Sequence, residues 1–365
     1  MNAKPLPPGS VIGIIGGGQL GRMLAMAAAR LGYKTVILEP DLHAPAAQVA
    51  NSQIVARYDD AEALDQLVAL CDVVTYEFEN VPVEAVRSLE SRVPVRPGSK
   101  ALEVAQDRLL EKTMARELGA ETALFAAVSN REDLEQAIVT TGLPAVLKTT
   151  RLGYDGKGQA KLVRPDDAEA AFAAMSGQMA ILESFVHFEH EVSVVAARGL
   201  SGEVRAYDVV QNVHRDHILH TSTVPSALGP EACTEALRIA AAIANHLDYV
   251  GVFAVEFFAV RDGAGHRLLV NEIAPRVHNS GHWTEAACAI SQFEQHIRAI
   301  TGLPLGDPKR HSDCVMENLI GDDIGKLVDL AAEPGAVIHL YGKSEARPGR
   351  KMGHVTRISP PKLNS

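Results

Sequence analysis

Residues 11–21 read Val11-Ile12-Gly13-Ile14-Ile15-Gly16-Gly17-Gly18-Gln19-Leu20-Gly21, and this stretch decides the fold class. Its first five residues carry no charge and no hydrogen-bonding side chain, the pattern of a parallel strand buried on both faces. Leu20, Leu24, Ala27 and Leu31 then recur at helical spacing until Gly32 stops the run. Between strand and helix, Gly16, Gly18 and Gly21 fit GxGxxG, and Glu39 follows 23 residues after Gly16. Glycines there permit a tight turn, and the helix start offers unpaired N–H groups to an anion. Alone, the motif is compatible with the cofactor turn of a nicotinamide-dependent oxidoreductase or with a strand-to-helix turn that holds no dinucleotide.

Working outward, residues 35–38 and 73–76 read as further strands, so residues 1–100 form an α/β, Rossmann-like domain with a parallel sheet. Pro94, Pro97 and Gly98 mark its end. Beyond them come a helical stretch over 101–118, a strand over 145–148, a glycine-rich loop and several apolar strands to about residue 273. Strands there follow one another with few helices between, which makes the middle α+β. A helical stretch near 285–300 closes it. The expected units are 1–100, 101–300 and a small C-terminal domain over 301–365.

Composition narrows the function. The 365 residues hold 45 acids and 35 Lys plus Arg, a net charge of −10, with 47% hydrophobic and 22% charged residues. An acidic chain of this kind is no nonspecific nucleic-acid binder, which needs a broad basic face. No apolar run approaches the roughly 18 residues of a membrane span, and the first one is too short for a signal-peptide core, so the expected location is cytoplasmic. Cys71, Cys233, Cys288 and Cys314 form no CxxC pair and are read as reduced, mostly buried thiols.

Four features carry chemistry. Lys148 ends an apolar strand and is followed by Gly153-Tyr154-Asp155-Gly156-Lys157-Gly158-Gln159. Such a loop can fold N–H groups over phosphates while Lys148 and Lys157 neutralise them, although the spacing is not that of a Walker loop. Farther on, Glu256 and Glu272 are equidistant from residue 264 in the turn Asp262-Gly263-Ala264-Gly265. If their strands pair as a hairpin, the two carboxylates oppose each other and repel unless a cation or a shared proton lies between them. Two hard oxygen donors suit Mg²⁺ shared with phosphates; a proton-sharing acid pair is the other reading. Arg276, His278 and Asn279 follow at once in a polar segment suited to orienting an anionic second substrate. Zinc at His278 and His282, or at His214, His217 and His220, has no Cys or HExxH pattern behind it. Finally, residues 341–365 hold Lys343, Arg347, Arg350, Lys351, Arg357 and Lys362 against Glu345, a local excess of five positive charges. The run 347–353, broken by Pro348 and Gly349, reads as a turn presenting cations to one small phosphate.

Taken in order, Gly17-Gly18-Gln19-Leu20-Gly21-Arg22, Glu77-Phe78-Glu79, the 153–159 loop, Asn271-Glu272-Ile273-Ala274-Pro275-Arg276-Val277-His278-Asn279-Ser280-Gly281-His282 and Arg347-Pro348-Gly349-Arg350-Lys351 closely resemble the 5-(carboxyamino)imidazole ribonucleotide synthase family of purine biosynthesis. The resemblance runs from about residue 12 to 354, and its 271–284 segment is the most specific part. It implies a pre-ATP-grasp first domain, a central ATP-grasp domain with a mobile lid over about 116–187, and a homodimer. The implied reaction is ATP-dependent carboxylation of 5-aminoimidazole ribonucleotide by bicarbonate through carboxyphosphate. Members often continue past the basic turn into a further helix, whereas here Ser359-Pro360-Pro361 leads directly to Ser365.

The resemblance also implies residue roles. Arg108, Lys148 and Gly153, Tyr154, Asp155, Gly156, Lys157, Gly158 and Gln159 match nucleotide phosphate contacts. Glu183, Ser184, Phe185 and Val186 match the adenine side, Glu191 the ribose, with His214 nearby. Glu256 and Glu272 match the Mg²⁺ ligands, accompanied by Asn271. Tyr154, Lys157, Arg276 and His278 match the catalytic positions around bicarbonate. Gln19, Leu20, Glu77, Asp155, Asn279, Lys343, Arg350 and Lys351 match positions that hold the ribonucleotide. The alternatives are a formate-dependent glycinamide ribonucleotide transformylase, a biotin-dependent carboxylase subunit and, from a different class, the nicotinamide-dependent oxidoreductase. The last leaves the second glycine loop, the paired glutamates and the basic turn without a purpose.

Overall fold

The computed structural model describes residues 4–151 and 158–361. Its first unit is a parallel sheet in the order β3-β2-β1-β4, built from β1 (Val11–Ile15), β2 (Lys34–Leu38), β3 (Ser52–Ile54) and β4 (Val73–Tyr76). The helix α1 (Gln19–Arg30) follows β1, and α2 (Ala61–Leu70) and α3 (Val83–Glu90) flank β4 in sequence. Both faces of β1 are covered. Ile12 and Ile14 join a core with Met23 and Leu24, while Ile15 joins one with Leu64, Leu67 and Val86. That two-sided burial explains why the strand reads as an unbroken apolar run.

The expected helix over 101–118 is two helices, α4 (Ser99–Gln106) and α5 (Arg108–Glu117). Asp107 between them is extended, and its carboxylate accepts the Leu109 and Leu110 N–H groups, an N-cap that restarts the chain in a new direction. A second small sheet, ordered β6-β9-β7-β8, comes next in space. It uses β6 (Phe125–Val128), β7 (Ala145–Thr149), β8 (Gln159–Leu162) and β9 (Ala180–Ser184) after the short β5 (Glu121–Thr122). Helices α6 (Arg131–Thr141) and α7 (Ala168–Ala174) give it a separate core with Leu134, Leu147 and Leu182.

The large sheet has ten strands and carries the rest. It contains β5, which pairs with β15, together with β10 (His190–Arg198), β11 (Val204–Ala206), β12 (Val210–Arg215), β13 (Ile218–Val224), β14 (Gly251–Asp262) and β15 (Gly265–Ala274), with α8 (Pro230–His246) packed across it. Instead of one helix over 285–300 there are α9 (Thr284–Ala287) and α10 (Gln292–Thr301), because Ser291 caps the second and leaves 288–291 non-helical. The C-terminal unit does not stand apart. Its β16 (Asp313–Ile320), α11 (Leu327–Ala332), β17 (Ala336–Leu340) and β18 (Lys351–Ser359) extend the same sheet through the β13–β16 pair. This continuity sets the cationic turn between β17 and β18 beside the glycine turn of the first unit.

The four cysteines are free, and Cys71, Cys288 and Cys314 are buried. Burial pushes these three thiols up to about 12, so they are neutral packing groups.

Candidate active site

The glycine turn holds an anion, and the anion is the chain's own. Glu77, just past β4, accepts the N–H of Gly18 at 2.6 Å on Oε1 and that of Gly21 at 2.7 Å on Oε2. Gly17 donates to Glu39 at 2.9 Å, and Glu39 also accepts the Tyr58 hydroxyl at 2.6 Å. A Cβ on Gly18 would stand 2.6 Å from Glu77 Oε1, so glycine is needed for the carboxylate's close approach. A dinucleotide pyrophosphate would need the same N–H groups, which corrects the oxidoreductase reading. In front of the turn lies a cavity of about 290 Å³ lined by Gly18, Gln19, Glu39, Tyr58, Glu77, Lys343 and Arg350 among others.

A second centre lies where β14 and β15 pair. Glu256 is the cross-strand partner of Glu272, as the spacing predicts. The register nevertheless shifts beside Glu256: Phe257 pairs with Val270, so Asn271 is an extra residue on β15. Burial works against the charge of Glu256, but the His278 ring and the charges of His214 and Arg276 outweigh it and hold the carboxyl below its usual range. Glu272 goes the other way. Burial and the Glu256 charge push its carboxyl up against the pull of Arg108, 3.9 Å away. It lies deep in the cleft yet keeps 44% of its side chain open to it. The charge of Glu256 is what raises Glu272 besides burial, and a divalent cation between two hard carboxylates would relieve that repulsion.

Toward the small sheet the cleft continues through buried charges. Lys148 on β7 meets Glu183 on β9 at 2.9 Å, and Lys112 on α5 approaches the other oxygen of Glu183 at 3.5 Å. Burial opposes ionisation of Glu183, but the two ammonium groups win and hold it down at about 2. Lys112 also donates to the Asn271 carbonyl at 3.1 Å, tying the bulge to α5. Sequence reading missed Lys112 and its buried neighbour Glu111, which accepts the Ile273 N–H at 2.5 Å. In a helix of alternating charges they look like solvated residues; only tertiary packing buries them. Phe185 donates its N–H to Pro144 O at 2.9 Å, and Ser184 Oγ accepts the Leu124 N–H at 3.0 Å, so the 183–186 segment is pinned at the root of the small sheet. Glu191 and His214 lie 2.6 Å apart on adjacent strands of the large sheet.

Beyond the glutamates, Arg276 is paired with Glu79 from the first unit, so the guanidinium is aimed by a residue nearly two hundred positions away. Against burial, the Arg276 charge and hydrogen bond hold Glu79 down at about 2. His278 Nε2 stands 3.0 Å from Glu256 Oε1. The imidazoles offered for zinc do not gather: His282 is buried against Gln292, and His214 faces Glu191.

The cationic turn divides. Lys343 and Arg350 line the cavity, with Lys343 Nζ donating to Lys351 O at 2.7 Å. Arg347 pairs with Glu345, and Arg357 on β18 pairs with Glu317 and Glu333, so these two cations neutralise local acids. Two expected substrate positions are occupied within the fold. Both amide atoms of Asn279 are paired with the Asn318 amide at 2.9 and 3.0 Å, and the Leu20 side chain belongs to the core. Gly158 takes a positive φ beside Thr149, and Gln159 opens β8 opposite Lys148. Gly153, Tyr154, Asp155, Gly156, Lys157 and Lys362 lie outside the described residues.

Comparison with known proteins agrees with this layout. Residues 10–106 match the ribonucleotide synthetase preATP-grasp domain, residues 113–293 the ATP-grasp domain, and residues 314–362 the phosphoribosylaminoimidazole carboxylase C-terminal domain. The chain is 60% identical over 362 residues to the N5-carboxyaminoimidazole ribonucleotide synthase of Brucella melitensis biotype 1, covering 99% of each. It is similar to the solved N5-carboxyaminoimidazole synthetase of Staphylococcus aureus complexed with ADP, at 39% identity and a TM-score of 0.92 over 98% of this chain and 95% of that one. It also resembles the Aspergillus clavatus synthase in complex with ADP and 5-aminoimidazole ribonucleotide, at 32% identity and a TM-score of 0.90 over 97% and 94%.

Proposed function

The chain belongs to the N5-carboxyaminoimidazole ribonucleotide synthase family of ATP-grasp ligases, and from that premise we propose how its residues divide the reaction. It is an ATP-dependent carbon–nitrogen ligase that carboxylates 5-aminoimidazole ribonucleotide in purine biosynthesis. Bicarbonate is the one-carbon donor. Its oxygen attacks the γ-phosphorus to give carboxyphosphate and ADP; the exocyclic amine then takes the carboxyl carbon, directly or as released CO₂, and phosphate leaves.

The observation that carries this reading is the opposition of Glu256 and Glu272, with His278 3.0 Å from Glu256. Two carboxylates of opposite pKa tendency, accompanied by Asn271, fit Mg²⁺. When bound, the ion neutralises phosphate charge during transfer. Phosphoryl transfer needs positioned cations more than a covalent catalyst. Arg108 and Lys148 meet the phosphates, joined by the 153–159 loop. Glu183 holds Lys148 in place, the 183–186 segment takes the adenine, and Glu191 takes the ribose. Arg276, aimed by Glu79, binds bicarbonate and the transferring carboxyl group, and His278 and Tyr154 handle the proton. Gln19, Glu77, Lys343, Arg350 and Lys351 hold the ribonucleotide, Lys343 and Arg350 facing its phosphate across the cavity from Glu77.

Carboxyphosphate hydrolyses in water, so the small sheet serves as a lid that closes over the cleft. The protein works as a cytoplasmic homodimer; among the described residues no helix is long and apolar enough to cross a membrane, and sedimentation reads the dimer. The function itself is tested by ADP release with bicarbonate plus 5-aminoimidazole ribonucleotide against formate plus glycinamide ribonucleotide. Turnover with the first pair alone is expected, and turnover with the second alone overturns the assignment.

A further inference from the structure

Behind His278 runs a buried file of hydroxyl and amide groups that the reaction as described does not use. Ser222 Oγ meets Asn212 Oδ1 at 2.8 Å, Asn212 Nδ2 meets Ser193 Oγ at 2.9 Å, and Ser193 Oγ meets Ser280 Oγ at 2.7 Å. Ser280 Oγ ends the file 2.8 Å from His278 Nδ1. Ser193, Ser222 and Ser280 are wholly buried and Asn212 nearly so. Such groups are costly to bury unless every one is satisfied, and the file satisfies them. The sheet sets its line: Asn212 is the cross-strand partner of Ser222, and Ser193 is the partner of Glu256 itself.

The direction of the file is fixed at one end by a group that can only donate. The backbone N–H of Ser280 points at His278 Nδ1 from 3.4 Å, within the short helical turn that His278 caps. A nitrogen that receives an N–H must offer its lone pair. Nδ1 is therefore the accepting nitrogen, the Ser280 hydroxyl also donates to it, and the ring's N–H is Nε2. Nε2 faces Glu256 at 3.0 Å, the side on which bicarbonate chemistry is placed.

We propose that Ser280, backed by Ser193, Asn212 and Ser222, is a positioning residue that fixes His278 as the Nε2–H tautomer, so that the imidazole meets the transferring carboxyl group as a hydrogen-bond donor. This rests on the carboxylation reading for its meaning, but not for its geometry. It divides the proton handling: His278 donates, and the removal of a proton from the amine falls to another group.

The resting enzyme with ¹⁵N-labelled histidine tests the geometry directly, with His278 assigned by its absence in His278→Asn. Long-range proton–nitrogen correlation should show a bare Nδ1 and a protonated Nε2. A protonated Nδ1 in the wild type overturns the proposal, whatever the enzyme's activity proves to be. Ser280→Ala tests the consequence. It should lower kcat by roughly 10- to 100-fold, the usual cost of losing an orienting partner behind a site, while KM for ATP stays put and the His278 signals broaden or mix tautomers. An unchanged kcat in a folded Ser280→Ala protein also overturns it. If that variant does not fold, the wild-type spectrum still decides, and Ser193→Ala, one step farther back, should give a smaller loss of the same kind.

Discussion

Glu256 and Glu272 face each other only because Asn271 is an extra residue on its strand. The hairpin turn pairs Asp262 with Gly265, and carried back unchanged that register would set Asn271 opposite Glu256. The bulge moves the ladder by one residue and brings the second carboxylate into line. Bulges re-aim side chains in this way beside functional sites.

Glu272→Gln keeps the shape and removes the charge. ADP formation should fall by at least about 100-fold, the scale of losing one charge-stabilising group at a reacting phosphate, with the folding midpoint unchanged or raised because a repulsive partner of Glu256 is gone. Near-normal ADP release would contradict the metal assignment.

Arg276→Ala leaves Glu79 in the cleft without its partner. Truncating one side of a buried pair costs roughly 3–5 kcal/mol, and the low end is expected here because Glu79 keeps 32% of its side chain exposed. The carboxyl of Glu79 is held down at about 2 in the fold, so the pair's contribution is complete above the ordinary carboxylate range and disappears as pH falls toward that value. Urea melts of variant and wild type should therefore differ at neutral pH and converge in acid. A gap that widens in acid would contradict the pairing.

Lys343 is pushed down to about 8, first by burial and then by Arg350 and Lys351. Its charge is present below that pH and lost above it. The kcat/KM for the ribonucleotide should thus fall as pH rises through 8, and Lys343→Arg, which stays charged, should flatten the profile. Arg350→Ala should lower the same parameter at every pH by roughly 10- to 100-fold, as expected for a lost bond to a charged group. An unchanged value would place the phosphate elsewhere.

The parts of this architecture that repeat locally were legible in the sequence: the apolar strands, the hairpin of glutamates, the cationic turn. What was not legible depends on distant residues. The glycine turn advertises an anion site, and nothing within it says that Glu77, more than fifty residues on, fills that site. Lys112 and Glu111 are charged residues in a helix until the 271 bulge is packed onto them. Glu256 and Glu272, equidistant from residue 264, do pair because two features offset each other, a turn centred between Gly263 and Ala264 and a bulge at Asn271. Helix ends at Asp107 and Ser291 are set by single capping side chains inside otherwise helical patterns.

In the proposed reaction bicarbonate attacks ATP and becomes carboxyphosphate in this cleft. Turnover with ¹⁸O-labelled bicarbonate and 5-aminoimidazole ribonucleotide tests it most directly, because the attacking oxygen stays with phosphorus when the carboxyl carbon departs. One labelled oxygen is expected in each inorganic phosphate released, formed in step with the carboxylated product. Unlabelled phosphate alongside the same product would contradict it.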